Sequence, residues 1–104
     1  MSITKNAETP FITWLESLDK KLRAKVISKT LHLQEENYSN CSILKDAQGV
    51  KEARIKTASG LRLYYTEEGN QILLLLIGRD KDTQKKDIKR AKDYWSDYKQ
   101  RSKK

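Results

Sequence analysis

Residues 49–77 read GVKEARIKTASGLRLYYTEEGNQILLLLI, and through much of this stretch apolar and polar side chains exchange every second residue. An extended chain points successive side chains to opposite faces, so such alternation marks a strand with one face covered. Val50 to Thr57 places Lys51, Ala53 and Ile55 on one face and Glu52, Arg54 and Lys56 on the other. Ala58, Ser59 and Gly60 then make a turn, and Leu61, Leu63 and Tyr65 alternate with Arg62, Tyr64 and Thr66 in a second strand. Glu67 to Asn70 makes the next turn, with Gly69 available for a positive φ. Gln71 to Ile77 is almost wholly Ile and Leu, which predicts a strand covered on both sides. The three strands form an antiparallel meander.

Outside the meander the period becomes helical. Thr9 and Pro10 are a helix start signal, because threonine caps free amides and proline is tolerated in the first turn. Phe11, Trp14, Leu15 and Leu18 follow at helical spacing. Asp19 caps a second helix in which Leu22, Val26, Lys29 and Leu33 share a face that Ile27 and Leu31 widen, while Lys20, Lys21, Arg23 and Lys25 stay wet. Gln34 to Ser42 reads as a polar loop. Asp82 or Thr83 caps a last helix carrying Ile88, Ala91, Trp95 and Tyr98. The expected fold class is α+β: an N-terminal helical hairpin, a three- to four-stranded antiparallel sheet and a C-terminal helix. Lys99 to Lys104 is expected to fray, since it has nothing apolar to bury.

The chain has 104 residues and 37% hydrophobic side chains. This makes one small domain, residues 1–104, with little core to spare, and excludes a bulky multi-layer enzyme. The longest apolar run, Ile72–Ile77, is six residues, against the roughly twenty of a membrane-spanning helix. Residues 1–10 lack the basic-then-apolar pattern of a secretory signal, so a cytoplasmic location and no membrane partner are expected. With a single cysteine, Cys41, and a single histidine, His32, neither an internal disulfide, a zinc site nor a His-based triad is expected. His32 on the second helix is assigned no role.

Net charge is +8, unevenly spread. Residues 1–78 carry 11 basic and 9 acidic side chains; residues 79–104 carry 11 and 5. Such a basic segment points to a polyanion or to an acidic protein covering the same surface, the alternative being a solvated helix face.

Alternation in the meander puts Ala53, Ile55, Leu61, Leu63 and Tyr65 under the helices and leaves Arg54, Arg62 and Tyr64 together on the other face. Two guanidiniums and a phenol on adjacent strands suit a phosphodiester, because arginine presents a planar fork of donors. Gly78-Arg79-Asp80-Lys81 adds cations at the sheet edge. The competing arrangement is cross-strand pairing of Arg54 and Arg62 with Glu52 or Glu67. Of the adjacent tyrosines, one is expected in the core and one exposed, where it could stack on a base. Trp14 and Trp95 fit their apolar stripes and are expected to pack.

The segments TPFITWL (9–15), RAKV (23–26), GVKEARI (49–55), GLRLYY (60–65) and LLLLIGRDKDTQKKDIKRAKDYW (73–95) resemble the phage-derived addiction-module killer proteins, a HigB-like branch of the RelE/ParE toxin superfamily. The similarity runs from Pro10 to about Tyr98 in the same order. It departs at residues 36–44, ENYSNCSIL, where the family has a glycine-rich loop, at Gly78-Arg79 in place of a glycine pair, and in the turn before Arg62, which lacks a proline.

The resemblance implies a RelE-like fold and the toxin of a type II toxin-antitoxin system: a ribosome-dependent mRNA endoribonuclease that uses the substrate's own 2′-hydroxyl, without metal or other cofactor. Arg54 and Arg62 would stabilise charge building on the phosphate. Lys81 and Tyr64 would transfer protons, and Asp80 would orient Lys81 or Arg79. Lys45, Lys56, Arg79, Lys85, Lys86, Lys89 and Arg90 would contact RNA or the ribosome. The implied partners are a cognate helix-turn-helix antitoxin, the ribosome and mRNA, and operator DNA through the antitoxin complex. The same superfamily includes ParE-like DNA gyrase poisons, and a non-toxic nucleic-acid-binding module is a third reading; fold alone does not separate them. Exposure of Arg54, Arg62 and Tyr64 favours the nuclease, and their burial or pairing favours the poison.

Overall fold

The alternating stretch forms the body of a five-stranded sheet in the computed structural model, which describes residues 2–4, 11–57, 60–69 and 71–102. The elements are β1 (Ser2–Thr4), α1 (Phe11–Glu16), α2 (Lys20–Gln34), β2 (Cys41–Ile43), β3 (Lys51–Arg54), β4 (Arg62–Glu68), β5 (Gln71–Gly78), a 3-10 turn (Lys81–Thr83) and α3 (Gln84–Ser102). The spatial order is β1-β5-β4-β3-β2, with β5 through β2 antiparallel and β1 parallel to β5. This is the expected α+β class with the helical hairpin and C-terminal helix of a RelE-like fold.

Several boundaries differ from expectation for local reasons. The expected loop from Gln34 to Ser42 contains β2, whose Cys41 pairs with Ala53 of β3. β3 ends at Arg54 rather than Thr57, and the Thr57 hydroxyl accepts the amides of Gly60 and Leu61 at 3.1 and 2.8 Å to shape the turn. Asp19 does cap α2, accepting Leu22 N–H at 2.9 Å. Asp80, not Asp82 or Thr83, caps the 3-10 turn that leads into α3, accepting the amides of both. α3 continues helical to Ser102 instead of fraying at Lys99, whose ammonium lies 5.0 Å above the Trp95 ring. The Thr9-Pro10 start and the residues 58, 59 and 70 of the two expected turns lie outside the described residues.

Both faces of the sheet are covered. Phe11, Leu18, Val26 and Leu33 of the hairpin pack on Ala53, Leu61, Leu63, Tyr65, Ile72, Leu74 and Ile77. Ala91 and Trp95 of α3 pack on the opposite face, against Tyr64, Leu73, Leu75 and Leu76. A bulge makes this fit: Tyr64 faces Leu76 and Tyr65 faces Leu74, so Leu75 is an extra residue and turns with Leu76 toward α3. Within α2, Lys29 does lie on the buried face, 7% exposed, with its ammonium donating to the Ser39 carbonyl. Ile27 and Leu31, expected to widen that face, are instead exposed.

Where α3 begins, it crosses β5 closely. A Cβ on Gly78 would stand 2.9 Å from Asp87 Oδ2 and 3.0 Å from Tyr64 Cε2, and neither buried side chain has room to retreat. Gly78→Ala is therefore expected to destabilise the fold by about 1–3 kcal/mol, the usual cost of overpacking. The check is a lower denaturation midpoint with an unchanged denaturant slope.

Candidate nucleic-acid interface

The β3–β4 register sets Arg54 opposite Arg62 and Glu52 opposite Tyr64, and β5 sets Gly78 opposite Arg62. All four side chains should share a face by alternation, and Glu52, Arg62 and Tyr64 do meet beneath the start of α3. Arg62 Nε is 3.5 Å from Glu52 Oε1, and its Nη1 donates to the Gly60 carbonyl at 3.2 Å. Glu52 is 4% exposed, and its second carboxylate oxygen accepts Gln84 Nε2 at 2.8 Å. Asp87, also buried, accepts the Thr83 hydroxyl at 2.7 Å. One of the two pairings considered for Arg62 is thus realised; Glu67 instead binds Lys51 at 2.8 Å.

Tyr64 corrects the expected site. Its ring is fully buried, and its hydroxyl makes no hydrogen bond among the described residues. Alternation put it on the right face, but α3 covers that face, so it cannot stack on a base. Burial pushes the phenol above its ordinary value of 10.0, the Glu52 and Asp87 carboxylates add to the shift, and Arg62 opposes it. A phenol shifted upward is a weaker proton donor at neutral pH. Tyr65 is buried on the hairpin side, so neither tyrosine is exposed.

Lys81 joins the cluster at its rim. It is exposed, and Gly60 sits between it and Arg62: a Cβ on Gly60 would be 3.6 Å from Arg62 Nη1 and 3.7 Å from Lys81 Cβ. The φ of Gly60, +84°, is one that glycine adopts without strain. Asp80 uses its carboxylate to cap the 3-10 turn, and Arg79 donates to the Ser17 hydroxyl, so neither stands in the orienting contact expected between Asp80 and these cations.

The remaining cations divide among separate surfaces. Arg79, Lys86 and Arg90 line a groove of about 390 Å³ with Trp14, Asp80 and Asp87, and the Arg90 guanidinium lies 5.1 Å over the Trp14 ring. Arg54 and Lys56 line a second cleft with Lys25, Lys29 and His32 of α2. Lys45, Lys85 and Lys89 are exposed and line neither. Glu52 was among the pairings considered from sequence, whereas the partners Gln84 and Asp87 went unassigned, as did the cationic row on α2. Among the described residues no three His, Cys, Asp or Glu side chains come together as a metal-binding group, and no helix is long and apolar enough to cross a membrane.

A small basic α+β chain with a helical hairpin on one face of its sheet and a helix on the other has a RelE-like fold. Residues 13–96 match the family described as "Phage derived protein Gp49-like (DUF891)", a RelE/toxin-like family, and the chain belongs to it. An uncharacterized protein of Haemophilus influenzae is 34% identical over 93 residues, covering 88% of this chain and 92% of that protein.

The unsatisfied hydroxyl makes Tyr64→Phe a clean test of that side chain. Removing a buried polar group without a partner should leave stability unchanged or raise it by up to about 1 kcal/mol. Because the folded phenol holds its proton more tightly, the unfolded chain loses protons first above pH ~10, and stability falls as pH rises there. Tyr64→Phe should make that alkaline loss shallower, as read from unfolding midpoints through the alkaline range.

Proposed function

We propose that this chain is the toxin of a type II toxin-antitoxin pair, of the HigB-like kind, and an endoribonuclease that cuts mRNA on the ribosome. The observation that carries the reading is the convergence of Arg62 and Lys81 around Gly60, with Arg54 across the ladder from Arg62. In this mechanism the substrate's 2′-hydroxyl gives up its proton to solvent water and attacks the adjacent phosphorus, so that a 2′,3′-cyclic phosphate forms as the bond to the 5′-oxygen breaks. Arg62 and Arg54 stabilise the charge that gathers on the phosphoryl oxygens. Lys81 donates the proton that the leaving oxygen takes up. Tyr64 forms the floor under this cluster and transfers no proton. The Glu52 carboxylate restrains Arg62 from behind, so the guanidinium is oriented before substrate arrives.

The partners that go with this reading are a helix-turn-helix antitoxin, the ribosome with its mRNA, and operator DNA reached through the antitoxin complex. The exposed cations Arg79, Lys85, Lys86, Lys89 and Arg90 provide salt-dependent attraction to ribosomal RNA. Neutralisation then follows from covering this cationic surface.

A second reading has its own support. Arg62 is largely buried and paired with Glu52, and Tyr64 is wholly buried, which is what a gyrase poison with no phosphate site would tolerate. The two are separated by inducing the wild type and mapping mRNA 5′ ends alongside plasmid supercoiling. New 5′ ends with normal supercoiling are expected; intact mRNA with lost supercoiling would replace the nuclease by the poison.

The variant must respect the buried pair. Arg62→Ala alone strips Glu52 of its cation and is expected to cost about 1–3 kcal/mol. Arg62→Ala with Glu52→Gln removes both charges and should recover part of that loss in a melting experiment. The double variant should retain antitoxin binding while growth arrest and new 5′ ends disappear; undiminished toxicity would move the reaction away from β4.

A further inference from the structure

We infer that the cleft between α2 and the chain leaving β3 binds the phosphate backbone of single-stranded RNA. It is a cleft of about 390 Å³, within the range of ligand sites. Lys25, Lys29 and His32 stand at helical spacing on one face of α2, and Arg54 and Lys56 face them from the end of β3. Among the described residues, no Asp or Glu lines it. The two other clefts differ in this respect: Asp80 and Asp87 share the groove of Arg79, Lys86 and Arg90, and Glu67 sits beside Lys51.

Two of the cations are also held in place. Lys25 Nζ donates to the Lys56 carbonyl at 3.1 Å, and the buried Lys29 ammonium donates to the Ser39 carbonyl. An ammonium has three N–H donors, so one carbonyl leaves it capacity for an anion. These two held ammoniums and the Arg54 and Lys56 side chains, with no carboxylate among the described lining residues, repel one another in the free protein, and a phosphate relieves that repulsion.

The lining favours nucleic acid over an acidic peptide. Its apolar contribution is Ile55, whereas peptide recognition depends on buried apolar or aromatic anchors. Serine hydroxyls and asparagine amides beside lysine and arginine are the groups that contact phosphate and sugar. Among the described residues His32 is the one ring in the lining, so base stacking is slight and recognition follows the backbone rather than the sequence. The cleft reaches Arg54, which pairs in register with Arg62. A strand lying in it therefore leads toward the proposed cutting site. The choice of RNA rests on the proposed nuclease reading, but the cationic cleft does not.

The test uses a short labelled oligouridylate with 2′-O-methyl riboses, which the proposed chemistry cannot cut. Its affinity for the full chain is measured by fluorescence anisotropy across a salt series. Lys25→Gln with Lys56→Gln is compared with Lys20→Gln with Lys21→Gln, which removes two exposed charges from the first turn of α2 outside the cleft. The cleft variant should bind about tenfold or more weaker, with a salt slope shallower by about 0.7 for each phosphate it no longer neutralises. The control should change less than twofold, and Lys25→Arg with Lys56→Arg should restore binding. Lys29 is left intact because its ammonium holds the Ser39 carbonyl, and matching melting temperatures exclude misfolding.

Equal losses in cleft and control variants would overturn the site, as would failure of the wild type to bind the oligonucleotide. A short polyglutamate peptide that displaces the oligonucleotide at lower concentration, with the cleft charges required, would reassign the cleft to an acidic protein. Binding is read without cleavage, so a cleft that binds in a protein leaving mRNA intact would overturn the nuclease alone. New 5′ ends with an indifferent cleft would overturn the cleft alone.

Discussion

The apolar run of β5 must be dry on both sides, and most of the structure follows from how that is met. Ile72, Leu74 and Ile77 turn toward the hairpin; Leu73, Leu75 and Leu76 turn toward α3. Each such side chain contributes on the order of 2 kcal/mol when buried, a large share of the marginal stability of a chain this small. Neither helical layer can leave without wetting half of that set. The bulge at Leu75 places two consecutive leucines under α3, and this fixes where Ala91 and Trp95 settle.

Covering the second face has a consequence for the polar residues that share it. Glu52, Arg62 and Tyr64 alternate onto the same side of the sheet as Leu73 and Leu76, so α3 encloses part of them as well. An enclosed carboxylate needs partners, and Glu52 has the charge of Arg62 3.5 Å away and a hydrogen bond donated by Gln84 at the first position of α3. Asp87 meets the same requirement through Thr83. The network joins β3, β4 and the start of α3, so the arginine is anchored by the same contacts that seat the helix. Its position next to Gly60 and Lys81 is what the proposed phosphate contact rests on.

The meander was legible because strands of seven and eight residues display their period, and the α2 cap was legible because Asp19 precedes a clear apolar stripe. β1 and β2 are three residues each, too short for alternation to register, and one joins the sheet in parallel from the opposite end of the chain. Tyr64 shows a different failure. Its parity was correct, and the two-sided cover inferred for β5 already implied a helix over the neighbouring strand. Ile88, Ala91 and Trp95 supplied that helix, yet the second layer was not extended to β4. Exposure depends on which helix occupies a face, and strand alternation carries no information about that. Glu52 was legible as a possible partner for Arg62; Gln84 and Asp87 were not, because they meet the strands only after α3 crosses them.

Segment charge and local field diverge in this molecule. Residues 79–104 hold most of the excess charge, yet their groove contains Asp80 and Asp87 beside its cations. Residues 1–78 are almost balanced, yet among the described residues they supply the lining of the cleft, with no carboxylate in it. Coulomb interactions act over a few ångströms in a partly enclosed cleft and are screened beyond about 10 Å in salt. A phosphate in the proposed site would therefore respond to the four cations that fold together, not to the tally of the segment that carries them. Lys25 and Lys29 come from one helix and Arg54 and Lys56 from a strand end some thirty residues later; their field exists only once the hairpin has packed on the sheet. The C-terminal excess acts instead as a diffuse attraction, effective in approach and weakened by salt.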